Sequence, residues 1–296
     1  MKIVISIFSL PYEIDDLENT LNQLRKASHY LNNTNEFILD VTLSLSDELT
    51  DWKKSNISPQ FFVDKLEKLS KVHTWCKSNF LVSDTINGCV SQRRYSLQTH
   101  QDADYFIWLD TDIIFEERTL SYIENSIQQI SDVVDYSILT PEIVRVWDST
   151  WDCIVNENFL DKPLDYQKTN DPYKDSGIKG KVEVESVIAS VQGQPRFKFA
   201  GGWFTCISGS LLRKIGVPES FGHYGYEDTF IMHVSEKLIQ KQNLSIQQFK
   251  LKNLVVCENY KFRDNSHFTK HLHLIDKREE YRSIAHSNFA NEFHKF

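Results

Sequence analysis

Two aspartates at positions 110 and 112 of this 296-residue chain are strong candidates for binding a metal ion. They follow residues 105–109, a run that is apolar on both faces, as a central parallel strand requires. Ligands of open α/β sheets bind at the carboxyl ends of such strands, and carboxylate oxygens suit Mg²⁺ or Mn²⁺. A cation there could bridge a diphosphate and offset its charge as it leaves. We therefore interpret Asp110-Thr111-Asp112 as a metal and phosphate site, although a chain rich in Asp also forms such triplets by chance. A second triplet, Asp102-Ala103-Asp104, precedes the strand and is predicted to be a solvated turn.

A second acidic pair, Glu227-Asp228, follows a glycine-containing turn and opens a predicted helix over residues 228–241. The alternative reading needs no function, because acids in a first helical turn are favoured by the helix dipole and by capping. Upstream, Gly201-Gly202-Trp203 combines adjacent glycines with an aromatic ring, which would suit a wall against which a sugar packs. The two segments together favour a functional reading of the acids.

Histidines are frequent near the end of the chain, at positions 267, 271, 273 and 286. Imidazole is a plausible further ligand for a metal that carboxylates already hold, and a C-terminal segment could bring one to the site by folding over it. Most histidines of this kind are ordinary surface or core residues. Their company with the two acidic motifs is the reason to consider them as ligands.

The elements that must position these residues alternate along the chain. Apolar runs predict strands at 2–8, 37–45 and 79–82, and helical spacing predicts helices around leucines 17, 21 and 24 and over 51–71 and 91–100. This alternation predicts an α/β fold with a parallel sheet and crossover helices. Residues 156–196 change to a loop-rich composition with a possible hairpin around 193–195, which we interpret as an excursion from the same domain.

Composition excludes several classes of protein. The net charge of -8 argues against nucleic acid as a partner. Five cysteines at irregular spacing indicate reduced thiols and a reducing compartment, so we expect a cytoplasmic protein. The apolar start reads as a buried strand instead of a signal peptide, and no later run is long and apolar enough to predict a membrane span.

Taken in order, these motifs resemble the GT-A superfamily of nucleotide-sugar glycosyltransferases, especially glycosyltransferase family 2 and the β-1,4-galactosyltransferases. The resemblance covers most of the chain and implies a Rossmann-like, mostly parallel central sheet flanked by helices, with an acceptor-side excursion and a C-terminal segment closing over the site. It implies a GT-A domain over 1–265, divided into a nucleotide-binding half (1–115) and an acceptor-binding half (116–265), and a C-terminal segment over 266–296. The segments that carry it are Leu10-Pro11-Tyr12, Arg94, Asp110-x-Asp112, Gly201-Gly202, Gly225-Tyr226-Glu227-Asp228 and the stretch from Tyr281 to His286.

The resemblance also implies a role for each matching residue. Asp112 would be the principal metal ligand with Asp110 beside it, His271 or His273 would complete the metal site, and Asp228 would be the general base. Glu227 would bind the acceptor or the donor sugar. Asp47 would contact the nucleobase. Contacts to the donor nucleotide-sugar as a whole would come from Pro11, Tyr12, Asp47, Arg94, Asp110, Thr111, Gly201, Gly202 and Trp203.

The implied function is a Mn²⁺- or Mg²⁺-dependent transfer of a sugar from a nucleotide-sugar, with UDP favoured, to a hydroxyl of a glycan or glycoconjugate, with inversion. A retaining transferase is an alternative, because the stereochemical outcome depends on where the acceptor sits. A haloacid-dehalogenase-type phosphatase also places Asp-x-Asp after an apolar strand, but its motif normally lies on the first strand of the domain. A catalytically inactive sugar-nucleotide-binding protein is a further alternative, and the presence of both acidic sites argues against it.

Overall fold

The computed structural model describes residues 1–32, 34–115, 117–146, 153–155, 184–186, 189–191, 194–197, 201–259 and 277–296. Its first part alternates strands and helices as the sequence predicts. The elements are β1 (Lys2–Ser9), α1 (Ile14–Ser28), β2 (Glu36–Ser44), α2 (Pro59–Val72), β3 (Lys77–Ser83), α3 (Cys89–Thr99) and β4 (Tyr105–Leu109).

The described residues of the second part form strands of 3 to 14 residues and four further α-helices. Its elements are β5 (Ile113–Phe115), α4 (Thr119–Ile130), β6 (Tyr136–Val146), β7 (Cys153–Val155), β8 (Val184–Ser186), β9 (Ala189–Val191), β10 (Gln194–Arg196), β11 (Phe204–Ser208), α5 (Gly209–Ile215), α6 (Glu227–Gln242), β12 (Ile246–Asn259) and α7 (Arg278–His294). The predicted hairpin near residue 194 is confirmed, because β9 and β10 pair antiparallel.

The first four strands form a parallel sheet in the order β3-β2-β1-β4. They therefore end at the same edge of the sheet, which we call the carboxyl edge. The opposite side, where these strands begin, is called the amino edge. The segments that follow β1, β2 and β4 at the carboxyl edge carry Pro11, Asp47 and Asp110 respectively.

Beyond β4 the sheet continues as β11-β6-β12-β5 and becomes mixed. β4 is parallel to β1 but antiparallel to β11, so the predicted parallel environment holds on one side of this strand. The antiparallel pairing has a consequence for the site. β11 begins where β4 ends, with Phe204 opposite Leu109, and this places Gly201-Gly202-Trp203 beside Asp110.

Apolar side chains form a core on each face of the sheet. Ile3, Ile5 and Ile7 pack on the face covered by α1, α2 and α4, whereas Val4 packs on the face covered by α5, α6 and α7. Burial on both faces explains why β1 is apolar at almost every position. α7 was not predicted as a separate helix, because its buried face is narrow and includes only Tyr281 and Ala285 as fully buried residues.

The second helix begins later than predicted. The helix predicted from residue 51 begins at Pro59, because Ser58 caps it through a hydrogen bond from Gln60 N to Ser58 Oγ (3.2 Å) and proline suits the first helical position.

The sheet runs without a break from strands of residues 1–115 to strands of 116–259, and the division into two halves stays a prediction. Within the described ranges, every helix is too short or too polar to span a bilayer.

Candidate active site

A cavity of about 550 Å³ opens at the carboxyl edge, between the end of β4 and the first turns of α6 and α7. Segments far apart in sequence meet there, as expected for a ligand site at the carboxyl ends of parallel strands. The residues that line it are Cys89, Arg93, Asp110, Gly202, Trp203, Tyr224, Gly225, Tyr226, Glu227, Asp228, Thr229, Arg278, Glu279 and Arg282.

The guanidinium group of Arg93, only 5% exposed, joins three of these segments. It forms an ion pair with Glu227, donates a hydrogen bond to Gly202 O (2.8 Å) and lies 3.5 Å from Asp110 Oδ1. Its carbon Cζ also lies 4.6 Å from the centre of a Trp108 ring. A buried charge is tolerated when neighbouring groups compensate it. Arg93 therefore fixes the start of α6 and the segment before β11 against the end of β4.

Gly202 allows the close approach that this arrangement needs. A Cβ atom built at this position would lie 2.4 Å from Arg93 Nη1, so any larger residue would displace the guanidinium group. Gly201 and Trp203, the residues on either side of Gly202, are also held by hydrogen bonds. Gly201 O accepts a hydrogen bond from Thr205 Oγ1 (2.7 Å), and Trp203 O accepts one from Asp110 N (2.9 Å). Of the predicted wall, Gly202 and the half-buried Trp203 line the cavity, whereas Gly201 lies outside its lining.

The turn before α6 holds its two acids in an unusual backbone conformation. Gly225 has φ = +88°, and Tyr226 also has a left-handed backbone, with φ = 68° and ψ = -7°. Such a conformation in a residue other than glycine costs of order 1–3 kcal/mol and is typical of functional sites. It directs Glu227 toward Arg93 and Asp228 toward Gly202.

Asp228 is held by contacts at both carboxylate oxygens. Its Oδ2 accepts a hydrogen bond from Gly202 N (3.1 Å), and its Oδ1 accepts from Thr229 N (2.6 Å) and Thr229 Oγ1 (3.2 Å). Capping of the helix would explain the local contact with Thr229. It does not explain the contact with Gly202, which lies 26 residues away in sequence, in the segment before β11.

Glu227 is 3% exposed and has one oxygen in the ion pair with Arg93. Its other oxygen, Oε2, is buried and accepts no hydrogen bond from the described part of the chain. Leaving a buried acceptor unpaired is unfavourable by about 1–3 kcal/mol, so such atoms normally have a partner when the protein is at work. A hydroxyl group of a bound molecule could donate to this oxygen.

The three residues of Asp110-Thr111-Asp112 have different surroundings. Asp110 lines the cavity with a side chain that is 36% exposed, whereas Thr111 is buried and its carbonyl accepts a hydrogen bond from Thr20 Oγ1 (2.6 Å). Asp112 is half-buried in the turn between β4 and β5. The described residues contain no group of three or more His, Cys, Asp or Glu side chains that could hold a metal ion. Two carboxylates nevertheless fit Mg²⁺ or Mn²⁺, which often keep water and substrate phosphate as their other ligands.

Among the residues predicted to contact the nucleotide, Pro11, Tyr12, Asp47 and Arg94 lie outside the cavity lining. Pro11 is buried and Tyr12 half-buried in the 3₁₀ turn after β1, and Asp47 is exposed after β2. Arg94 is half-buried and contacts a neighbouring loop. Its guanidinium donates to the carbonyls of a loop before α6, namely Val217 (3.2 Å), Pro218 (2.8 Å) and Gly222 (2.9 Å).

The C-terminal segment contributes to the cavity through α7. Arg278 and Arg282, in the first turns of this helix, line it. The Tyr226 ring lies 5.2 Å from the His286 ring and 6.0 Å from the Phe289 ring, measured between centres. The predicted metal ligands His271 and His273 lie outside the described residues, as does His267.

Nine residues of the cavity lining were not among the predicted site residues: Cys89, Arg93, Tyr224, Gly225, Tyr226, Thr229, Arg278, Glu279 and Arg282. Burial raises the pKa of Cys89 to about 11 and that of Tyr224 to about 12, so both groups are neutral near pH 7. Arg93 could have been considered beside Arg94, because neighbouring helical residues point about 100° apart and only one of the two can face a given site.

Solved structures of similar shape support the fold. The chain superimposes on the crystal structure of GalNAc-T7 with UDP, GalNAc and Mn²⁺ with a TM-score of 0.53 and 12% identity, over 88% of this chain and 44% of that one. It superimposes on S. aureus TarS residues 1–349 in complex with UDP with a TM-score of 0.51 and 15% identity, over 100% of this chain and 72% of that one. The chain has the GT-A fold.

At this level of identity the likeness to GT-A glycosyltransferases concerns architecture. The chain also matches S. aureus TarS in a longer form, with a TM-score of 0.51 and 13% identity, and covers 100% of itself and 44% of that chain. It thus spans less than half of two of the larger GT-A proteins that it resembles. No protein-family model matches the sequence, and no curated protein sequence does so.

Proposed function

We propose that this chain is a metal-dependent glycosyltransferase, which transfers a sugar from a UDP-sugar to a hydroxyl group of a glycan or glycoconjugate with inversion. The observation that carries this proposal is the arrangement of Asp228 and Asp110 around one cavity. Both carboxylates line it. The buried Arg93 lies beside Asp110 and donates a hydrogen bond to Gly202 O, and Gly202 N donates one to Asp228. The fold adds support, as do the UDP and Mn²⁺ bound in similar structures.

Asp228 has the surroundings that a general base requires. Gly202 N and Thr229 N fix the carboxylate, yet it still faces the cavity. In the proposed reaction the acceptor oxygen forms a bond to the anomeric carbon of the donor sugar, and the bond from that carbon to the phosphate oxygen breaks. The acceptor proton passes to Asp228, and the nucleoside diphosphate leaves with the electron pair.

The residues that would hold a divalent cation are Asp110 and Asp112, with His271 or His273 as the further ligand that we propose. When bound, the cation would offset negative charge on the departing diphosphate. Pro11, Tyr12, Asp47 and Arg94 remain proposed contacts to the nucleotide. Thr111, Gly201, Gly202 and Trp203 would form the wall on the donor side.

Glu227 is proposed to hold a sugar hydroxyl. Because its Oε1 is paired with buried Arg93, this residue is a poor candidate for the base. Its Oε2 has no hydrogen-bond partner within the described part of the chain. A hydroxyl of the donor or acceptor sugar would supply one. The free thiols of Cys76, Cys89 and Cys206 also agree with our proposal that the protein works in the cytoplasm.

The test is a panel of UDP- and GDP-sugars with Mn²⁺, scored for thermal stabilisation, donor hydrolysis and transfer to simple glycosides. We expect a UDP-sugar to stabilise the protein and to be turned over, and proton NMR of the product should show inversion. Retention would contradict the role of Asp228 as base. Hydrolysis of p-nitrophenyl phosphate without any use of nucleotide-sugars would favour a phosphatase.

A further inference from the structure

Two arginines of α7 face the cavity from the side of the acidic turn. Arg278 and Arg282 are four residues apart and so lie on the same face of the helix, one turn apart. Both side chains line the cavity that also contains Asp228. They differ in burial from Arg93, the third arginine there, because Arg93 is buried whereas Arg278 and Arg282 are exposed.

Arg282 lies directly on the turn that carries the proposed base. A Cβ atom built on Gly225 would lie 3.4 Å from Arg282 Cγ and 3.7 Å from Arg282 Cα. The guanidinium carbon lies 5.9 Å from the centre of the Tyr226 ring. Arg282 therefore lies beside Gly225 and Tyr226, in the turn that leads to Asp228, and the acceptor hydroxyl must lie near this turn if Asp228 is the base.

The charge of Arg282 is only weakly compensated by its helical neighbour. Its Nη1 lies 3.7 Å from Glu279 Oε1, and the two side chains are 56% and 88% exposed. Exposed ion pairs at this distance contribute little, so a better-placed anion can replace Glu279 without much loss. A guanidinium group binds phosphate or carboxylate through two parallel hydrogen bonds.

We propose that Arg278 and Arg282 bind an oxyanion carried by the acceptor, so that the acceptor is a phosphorylated or uronic-acid-containing glycan. This inference rests on the proposed function. In that function the donor diphosphate lies at Asp110 and Asp112 with the cation, whereas the two arginines lie on the wall formed by α7 and the turn before α6. An anionic acceptor would then be anchored on the same wall as the base that removes its proton.

The experiment compares neutral methyl hexosides with their 6-phosphates and with the matching uronides as acceptors, at a saturating concentration of the UDP-sugar found in the donor panel. Wild-type protein should prefer an anionic acceptor, and its KM should rise with salt. Arg282→Gln should lower the ratio of kcat/KM for the anionic over the neutral acceptor by about 10- to 100-fold, and Arg278→Gln should lower it in the same direction. Arg25→Gln, which removes an exposed arginine of α1 on the opposite side of the sheet, is the matched control.

Each other outcome has a definite meaning. Loss of UDP affinity in Arg282→Gln, measured by calorimetry with Mn²⁺, would assign the arginines to the donor diphosphate and overturn the inference. Equal loss for both acceptors would indicate a structural role and also overturn it. No preference of the wild type for either anion would overturn it while leaving the transferase intact.

A binding measurement separates this inference from the proposed function. Hexose 6-phosphate is titrated into wild-type and Arg282→Gln protein, and saturation-transfer NMR detects the bound sugar. Binding that depends on Arg282 without turnover of any nucleotide-sugar would support the anion site while the proposed function fails. Turnover of a donor without such binding would have the opposite meaning.

Discussion

β4 has an Asp-x-Asp triplet before its first residue and another after its last. At the amino edge, Asp102, 75% exposed, forms a salt bridge with Lys2 Nζ (2.6 Å), and Asp104 accepts a hydrogen bond from Lys2 N (2.7 Å). At the carboxyl edge, Asp110 lines the cavity 3.5 Å from the buried Arg93. The predicted solvated turn at 102–104 is confirmed. The comparison teaches that the direction of the strand, and not the motif, decides which carboxylates face a site.

The largest difference between the two edges should appear when the metal or its ligands are removed. Asp112→Ala, or excess EDTA on the wild type, should lower the transfer rate roughly a thousandfold or more and weaken UDP binding, because phosphate charge is then uncompensated. The same substitution at the amino edge, Asp102→Ala, should leave both unchanged. Transfer rates and UDP calorimetry measure the effect, and full activity in EDTA would exclude a metal-dependent mechanism.

A substitution at the proposed base should separate chemistry from binding. Asp228→Asn keeps the size and an oxygen that can accept from Gly202 N, but it removes the basic carboxylate. We expect kcat to fall by roughly two to four orders of magnitude with little change in donor affinity. Single-turnover kinetics and UDP-sugar binding measure the two quantities. If activity is lost only in proportion to thermal stability, Asp228 is a structural residue at the start of α6.

The buried ion pair at the carboxyl edge should matter more for stability than the exposed one at the amino edge. Arg93→Met leaves Glu227 buried without its partner, and we expect the free energy of unfolding to fall by about 3–5 kcal/mol. Glu227→Gln in the same chain should recover part of that loss. Asp102→Asn, which breaks an exposed pair, should have almost no effect. Denaturant titration measures all three variants, and equal losses at the two edges would contradict the comparison.

Protonation of His73, near the amino edge, should change the stability of the fold without changing the transfer reaction. His73, 1% exposed and hydrogen-bonded from Trp75 Nε1 (3.3 Å), lies before β3. Burial, with a smaller contribution from Arg25, lowers its pKa from 6.5 to about 4. As pH falls from 6.5 toward 4 the unfolded chain binds the proton first, so the folded state loses up to about 3 kcal/mol.

The control for this smallest effect is His73→Asn, which keeps an acceptor for Trp75. It should remove that part of the pH dependence of unfolding, measured by denaturant titration between pH 4 and 7. Above pH 7 the histidine is neutral in both states and contributes no slope. A slope that stays unchanged in the variant would assign the pH dependence to other groups.

The sequence predicted most of the fold because the parallel strands are buried on both faces. A fully apolar run such as residues 105–109 is not expected at the surface of a protein. The predicted boundaries of such runs agree with the structure to within about two residues. The start of α2 was missed because the cap at Ser58 was not weighed against a longer periodic pattern. α7 escaped prediction because its buried stripe is narrow.

The candidate site was predicted where chemistry follows directly from residue type, as for Asp110, Glu227 and Asp228. Arg93 was missed because the buried face of α3 is mainly polar, with Ser91, Gln92 and Ser96 also buried. A helix without an apolar stripe gives no indication of which arginine faces inward. The left-handed backbone of Tyr226 could not be predicted either, because residues other than glycine rarely adopt this conformation.

The tight contact between Gly202 and Arg93 also constrains how this protein can change by mutation. Because a Cβ at 202 would lie 2.4 Å from the guanidinium group, the two positions form an epistatic pair. Alanine at 202 would displace the guanidinium group from its partners unless residue 93 is already shorter, and shortening residue 93 first leaves Glu227 without its charge partner. Both single-step routes pass through a poor intermediate. A mutational library or a diverging lineage would therefore keep Gly202 and Arg93 together or replace them together.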